Sequence, residues 1–180
     1  VDLGGRRIIK KNFLIYLARA YPEDRLINLD KRTYAGNPEN LQSIFRDKRY
    51  QFFQGDICDR RVVGEIFAAH DIDLVVNFAA ETHVDRSIRD PRVFAQTNIM
   101  GTLNLLNIVK EHWEKDNGFA EGKRFIQVST DEVYGFLGET GFFTERTPLD
   151  PHSPYSASKA GADLLVRAYY DTYRMPVIIT

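Results

Sequence analysis

DLVVNFAA, residues 73–80, is a nearly unbroken apolar run that ends on two alanines. A strand buried on one face alternates polar and apolar residues, whereas a strand covered on both faces stays apolar throughout. The run therefore reads as a strand of a parallel sheet with helices on both sides. Four similar runs surround it: RLINLD (25–30), YQFFQGD (50–56), RFIQVS (124–129) and PVIIT (176–180). Helical patterns lie between them. Asn37-Pro38 and Asp90-Pro91 each place a capping side chain before a proline at the first helical position. Asp59 is placed to cap a helix carrying Val62, Val63, Ile66 and Phe67, and the longest helices are expected over 91–113 and 154–173. Alternating strands and helices of these lengths predict an α/β fold, a doubly wound parallel sheet. Ligands of such sheets bind beyond the carboxyl ends of the strands.

Composition agrees with one soluble globular domain over 1–180. The chain has 180 residues, 43% hydrophobic and 27% charged, with a net charge of -1. A charge so close to zero gives no reason to expect nucleic acid or an anionic membrane as partner. No apolar run approaches membrane-spanning length. The single cysteine, Cys58, excludes an internal disulfide and fits a reducing compartment such as the cytoplasm. No metal site is expected.

The residues after each strand carry the chemistry. VDLGG, residues 1–5, reads as a short strand entering a glycine turn, with an apolar-periodic helix from Ile8. Asp30 ends the next strand, where a carboxylate can accept both ribose hydroxyls of an adenosine and repel a 2′-phosphate; this favours NAD over NADP. A plain turn aspartate would look the same. Asp56 could face an adenine by the same logic. Ala79 and Ala80 would let a cofactor approach the backbone, or simply let a strand pack tightly on a helix.

Two further stretches are VSTDEVYG (128–135) and PYSASK (154–159). Tyr155 and Lys159 share one helical face. Lowering a phenol from a pKa near 10 to about 7 takes about 4 kcal/mol. A cation roughly 4 Å away supplies about that at an effective dielectric of 20. Tyr155 could then accept a proton from a hydroxyl while hydride leaves the same carbon. The spacing alone also arises by chance on helix surfaces. Asp131 and Glu132, adjacent after a strand, suggest divided acid and base roles; a solvated loop with two charges is the plainer alternative.

DKRTYAGN (30–37), GDICDR (55–60), NFAAETHVDRS (77–87), TNIMGT (97–102), VSTDEVYG and SPYSASKAGADLLVRAY (153–169) together closely resemble the dTDP-glucose 4,6-dehydratases of the extended short-chain dehydrogenase/reductase family. The resemblance covers nearly the whole chain and implies a Rossmann-like domain that binds NAD. By that resemblance Gly4, Gly5, Asp30, Lys31, Thr33, Asp56, Ile57, Ala79, Ala80, Thr97, Ser129, Tyr155 and Lys159 contact the cofactor. Thr82 and Thr130 hold a nucleotide-sugar substrate. Tyr155, aided by Lys159, removes the 4-hydroxyl proton of the glucose, Glu132 removes the C5 proton, and Asp131 protonates the departing 6-hydroxyl. Thr130 hydrogen-bonds the sugar near C4. A 4-epimerase or decarboxylase of the same fold, or a catalytically dead assembly module, are the other readings; Asp131 and Glu132 argue against the epimerase.

Two departures from the family pattern stand out. The family's Gly-Gly-x-Gly-Phe-Ile-Gly turn keeps its first two glycines as Gly4 and Gly5, but Arg7 and Lys10 replace the later ones. Arg7 would then stand where the diphosphate lies, in a backbone geometry that favours glycine. The chain also ends at Thr180, where the family continues into a substrate domain, so truncation at both ends relative to the family is expected. The family further implies a homodimer through the helices over 91–113 and 154–173, with Leu103, Leu106, Val109, Leu164, Leu165 and Ala168 offering apolar surface.

Overall fold

The structure is a computed structural model that describes residues 5–33 and 41–180, with only the backbone of 5–11. The expected strand over 1–3, Gly4, the Asn37-Pro38 helix start and the Arg7 and Lys10 side chains lie outside the described residues. The chain divides into two compact units, Val1–Ile57 and Cys58–Thr180.

In the first unit, helix α1 (Gly5–Ala20) precedes strands β1 (Leu26–Asp30) and β2 (Tyr50–Gln54). The strands pair in parallel, from Leu26 opposite Tyr50 to Asp30 opposite Gln54. Because α1 already includes Arg7, that residue has right-handed helical backbone and is not asked to adopt a glycine-only geometry. Leu14, Ala18, Leu26 and Ile44 form a small core, with Leu17 and Tyr50 against it. Arg49 ties this unit together. Its guanidinium donates to the carbonyls of Ala18 at 2.9 Å and Tyr21 at 2.9 Å, completing groups that the end of α1 leaves open. The same guanidinium pairs with Asp47 at 2.7 Å. The Arg49 amide, then its side chain, hold the Asp47 carboxyl below its ordinary value. A lowered carboxyl stabilises the fold at neutral pH, and that contribution fades as pH falls through the folded value.

The second unit contains α2 (Arg60–Ala69), β3 (Leu74–Asn77), α3 (Val84–Arg89), α4 (Pro91–Phe94), a π-helical segment (Ala95–Met100) and α5 (Gly101–Trp113). These lead to a hairpin of β4 (Glu114–Lys115) and β5 (Gly118–Phe119), then β6 (Arg124–Gln127), a 3-10 turn (Asp131–Tyr134), α6 (Pro154–Tyr173) and β7 (Val177–Ile179). The sheet order is β3-β6-β7, all parallel. Asp59 caps α2 by accepting from the amides of Arg61 and Val62, and Val63, Ile66 and Phe67 are buried on its inner face. Phe94, Leu106, Phe125, Val166 and Met175 fill the core around the sheet. The Trp113 indole, also buried, donates to the Ile72 carbonyl at 2.9 Å.

Two expectations about the 91–113 helix change. Asp90 makes no side-chain cap, so Pro91 alone starts α4. The helix is also interrupted by the π segment, where buried Asn98 reaches out of the helix to bind other elements. Such a widened turn often marks a functional region. Helix α6 passes this segment closely: a Cβ on Gly161 would lie 3.0 Å from Ile99 Cδ1. The apolar face expected to be free for a partner is also smaller. Leu106 and Val109 are fully buried in their own fold. Leu164 and Ala168 remain exposed, and Leu103 and Leu165 are half-buried.

Candidate active site

Strand β6 runs into Val128, Ser129 and Thr130 before the 3-10 turn. Thr130 is extended and caps that turn, its Oγ1 accepting from the Glu132 amide at 3.4 Å and donating to Asp131 Oδ1 at 3.3 Å. Val133 is the turn's buried anchor, while Asp131 and Glu132 are exposed. Water screens two exposed carboxylates, so their crowding alone is no argument for chemistry; their position is. Gly135 closes the turn at φ 85°. A Cβ there would lie 2.5 Å from the Asp150 carbonyl, and the Asp150 amide returns a bond to the Val133 carbonyl at 3.0 Å.

The residues before α6 fix that helix's start. Ser153 and Ser156 form a reciprocal capping box around Pro154 at the first turn. This start sets the phase that turns Tyr155 and Lys159 inward, at 1% and 2% exposure. The Tyr155 ring packs edge-on against Phe94 at 6.3 Å. Lys159 Nζ donates to the Val128 carbonyl at 2.5 Å, which pins α6 to the carboxyl end of β6, two residues before Thr130.

The loop after β3 is built by buried amides. Asn77 Oδ1 accepts from the Ala79 amide at 3.1 Å, and its Nδ2 donates to Gln127 Oε1 at 2.9 Å. Asn98 grips the backbone of Glu81 from both sides, accepting at 2.8 Å and donating at 3.0 Å, and donates to Ser158 Oγ at 2.8 Å. Ser158 donates in turn to the Tyr155 carbonyl at 2.7 Å. Ala79, Ala80, Thr82, Thr97 and Ser129 are half-buried. Asn98 thus joins the β3 loop, the π segment and α6. Asn98 and Asn77 escaped the sequence reading although both lie in quoted motifs; an amide inside an apolar helix or strand was the available signal.

In the first unit, Asp30 ends β1 and accepts from the Arg32 amide at 2.8 Å, with Arg32 in the left-handed region at φ 53°. The turn role is therefore real, whatever else this carboxylate does. The Gly55 amide reaches the Asp30 carbonyl at 3.2 Å, so the two strand ends are neighbours. Lys31 pairs with Asp56 at 2.6 Å, Ile57 is buried and Thr33 is half-buried.

A parallel sheet whose connecting helix carries Tyr155 and Lys159 against a strand end defines a Rossmann-like short-chain dehydrogenase/reductase. The chain belongs to the GDP-mannose 4,6 dehydratase family, whose model matches residues 12–180. The match begins just past the altered glycine turn. A dTDP-glucose 4,6-dehydratase of Xanthomonas campestris pv. campestris (strain B100) is 49% identical over 179 residues, covering 98% of this chain and 50% of that protein. A dTDP-glucose 4,6-dehydratase from Streptomyces venezuelae, solved with NAD and TYD bound, superposes with a TM-score of 0.81 at 43% identity, covering 97% of this chain and 51% of its own. Its counterpart from Bacillus anthracis, solved in complex with NAD, gives a TM-score of 0.80 at 43% identity, over 93% of this chain and 49% of that one. The chain spans about half the length of the relatives it matches. The resemblance read from the motifs is borne out.

Proposed function

We propose that this chain is the NAD-binding part of an enzyme that converts dTDP-glucose to its 4-keto-6-deoxy sugar. The observation that carries this is Lys159 bonded to Val128 at the strand end that leads directly into Thr130, Asp131 and Glu132. The residues suit NAD: a carboxylate, Asp30, ends β1, and small residues, Ala79 and Ala80, follow β3. Asp30 would hold the adenosine ribose, with Lys31, Thr33, Asp56 and Ile57 around it. Gly4 and Gly5 would adjoin the diphosphate, with Ala79, Ala80, Thr97 and Ser129 lining the remainder. When bound there, NAD would supply the acceptor for the C4 hydride and the donor of hydride to C6.

The chain's own groups handle the protons. Tyr155 takes the 4-hydroxyl proton, helped by the positive charge of Lys159. The ketone so formed acidifies the C5 hydrogen, which Glu132 removes. Asp131 protonates the 6-hydroxyl, which leaves as water, and once C6 has received hydride Glu132 returns a solvent-exchanged proton to C5. Thr130 and Thr82 orient the sugar. The exposure of Asp131 and Glu132 suits groups that must meet a substrate arriving from solvent. A 4-epimerase needs the Tyr and Lys but has no use for this acid and base. Mass spectrometry of the product tests the choice. The full-length protein with NAD and dTDP-glucose should yield a sugar nucleotide lighter by one water; unchanged mass with inversion at C4 would favour the epimerase.

Asp30→Ala should weaken NAD binding and narrow the preference over NADP, as read by calorimetric titration. Equal binding of both cofactors by the unsubstituted protein would remove the case for Asp30. We also infer a homodimer through the helical stretches 91–113 and 154–173; on α6, Leu164 and Ala168 stay exposed. Light scattering should give twice the chain mass at micromolar concentration, and a monomer there contradicts it. No helix among the described residues is long and apolar enough to cross a membrane, and the cytoplasm is the proposed location.

A further inference from the structure

We infer that Asp163 is a positioning residue for the Tyr155–Lys159 pair, its buried carboxylate keeping the Lys159 ammonium charged and seated against the end of β6. This rests on the catalytic role given to that pair above. Asp163 lies one helical turn beyond Lys159 on the same inner face of α6. It is 6% exposed. Its Oδ2 accepts from Ser129 Oγ, while Lys159 Nζ donates to the carbonyl of the preceding residue, Val128. Two oppositely charged side chains of one helix therefore grip consecutive residues of one strand end. Asp163 Oδ1 is buried with no hydrogen-bond partner among the described residues.

A half-satisfied buried carboxylate is a costly way to fill space, and an apolar side chain would pack there more cheaply. The arrangement makes sense as charge pairing. A buried ammonium tends to lose its proton, and an opposite charge nearby prevents this. Burial, the largest influence, leaves the Asp163 carboxyl above its ordinary value, and the Ser129 hydroxyl and then the Lys159 charge offset only part of that rise. Of the other charged groups on elements packed against α6, Asp131, Glu132, Asp85, Arg86, Arg89 and Arg92 are exposed. On α5, Lys110 is bound to Glu114 and Glu111 to Arg60. Lys159 is the charge that acts on Asp163.

The test is a side-chain NMR titration of the full-length protein carrying labelled lysine or labelled aspartate. Asp163→Asn should lower the Lys159 midpoint by about one unit or more. Reciprocally, Lys159→Met should raise the Asp163 midpoint, and this second variant decides the matter if the first does not fold. In the dehydration assay, Asp163→Asn should lose kcat/KM on the alkaline side at lower pH than the unsubstituted protein, a shift that a packing role would not produce. An unchanged Lys159 midpoint in Asp163→Asn, or an unchanged Asp163 midpoint in Lys159→Met, overturns the inference. Coupled midpoints in a protein that dehydrates no sugar nucleotide would support the charge pairing and sink only the functional reading.

Discussion

Glu132→Gln should stop the reaction halfway. The amide keeps the size of the side chain but cannot accept the C5 proton, so oxidation at C4 proceeds and elimination does not. In a single turnover of the full-length protein the absorbance of reduced nicotinamide should rise and persist. Steady formation of the 4-keto-6-deoxy sugar should fall by about 10²–10⁴-fold, the usual worth of a positioned general base. Glu132 is exposed and its carboxylate closes no part of the core, so the variant should fold normally. Product formation at the unsubstituted rate would remove Glu132 from the mechanism.

Tyr155→Phe should stop the reaction earlier, before any nicotinamide is reduced. The ring that packs on Phe94 is retained, and only the hydroxyl is lost. Without it the 4-hydroxyl proton has no acceptor as hydride departs, and single-turnover reduction should slow by about 10²–10⁴-fold. The two variants thus differ in kind: one accumulates reduced cofactor and the other never forms it. Normal reduction in Tyr155→Phe would mean that another group takes the proton.

The contrast between what was legible in the sequence and what was not follows from how local each signal is. Strand β3 declared itself because a strand covered on both faces tends to be apolar throughout, as Leu74, Val75 and Val76 are, whereas β6 showed only Phe125 and Ile126 between polar ends. Helix α6 was readable to the residue, since Ser153, Pro154 and Ser156 write its start into local chemistry. Asp59 capped α2 as expected for the same reason. Asp90 did not cap, although its residue type was equally suitable; capping needs a backbone geometry that the sequence does not state. The π segment was invisible because its cause is tertiary. Asn98 binds Glu81 and Ser158, residues distant along the chain. Leu106 and Val109 had the right periodicity for an interface, yet periodicity cannot say which partner covers a face, and here the chain's own core does. The β4–β5 hairpin turns at Asp116-Asn117, with Gly118 opening β5 at φ 119°; its two-residue strands are too short to write a hydrophobic pattern. Asp163 carries no local signal of its role, because its burial and its bond to Ser129 are tertiary.

The site followed the same division. Tyr155, Lys159, Asp131 and Glu132 were proposed from motifs, and the bond from Lys159 to Val128 joins α6 to the strand end that leads into Asp131 and Glu132. The amides that shape the β3 loop around Ala79 and Glu81 were not, because asparagine carries no catalytic signature.

The central claim is that one hydride travels within a single sugar, leaving C4 and returning to C6. It is tested most directly with dTDP-glucose carrying deuterium at C4, converted by the full-length protein in ordinary water. The account predicts that the deuterium reappears in the methyl group at C6 of the product, with a solvent hydrogen at C5. Deuterium retained at C4, or lost to the medium, would contradict it.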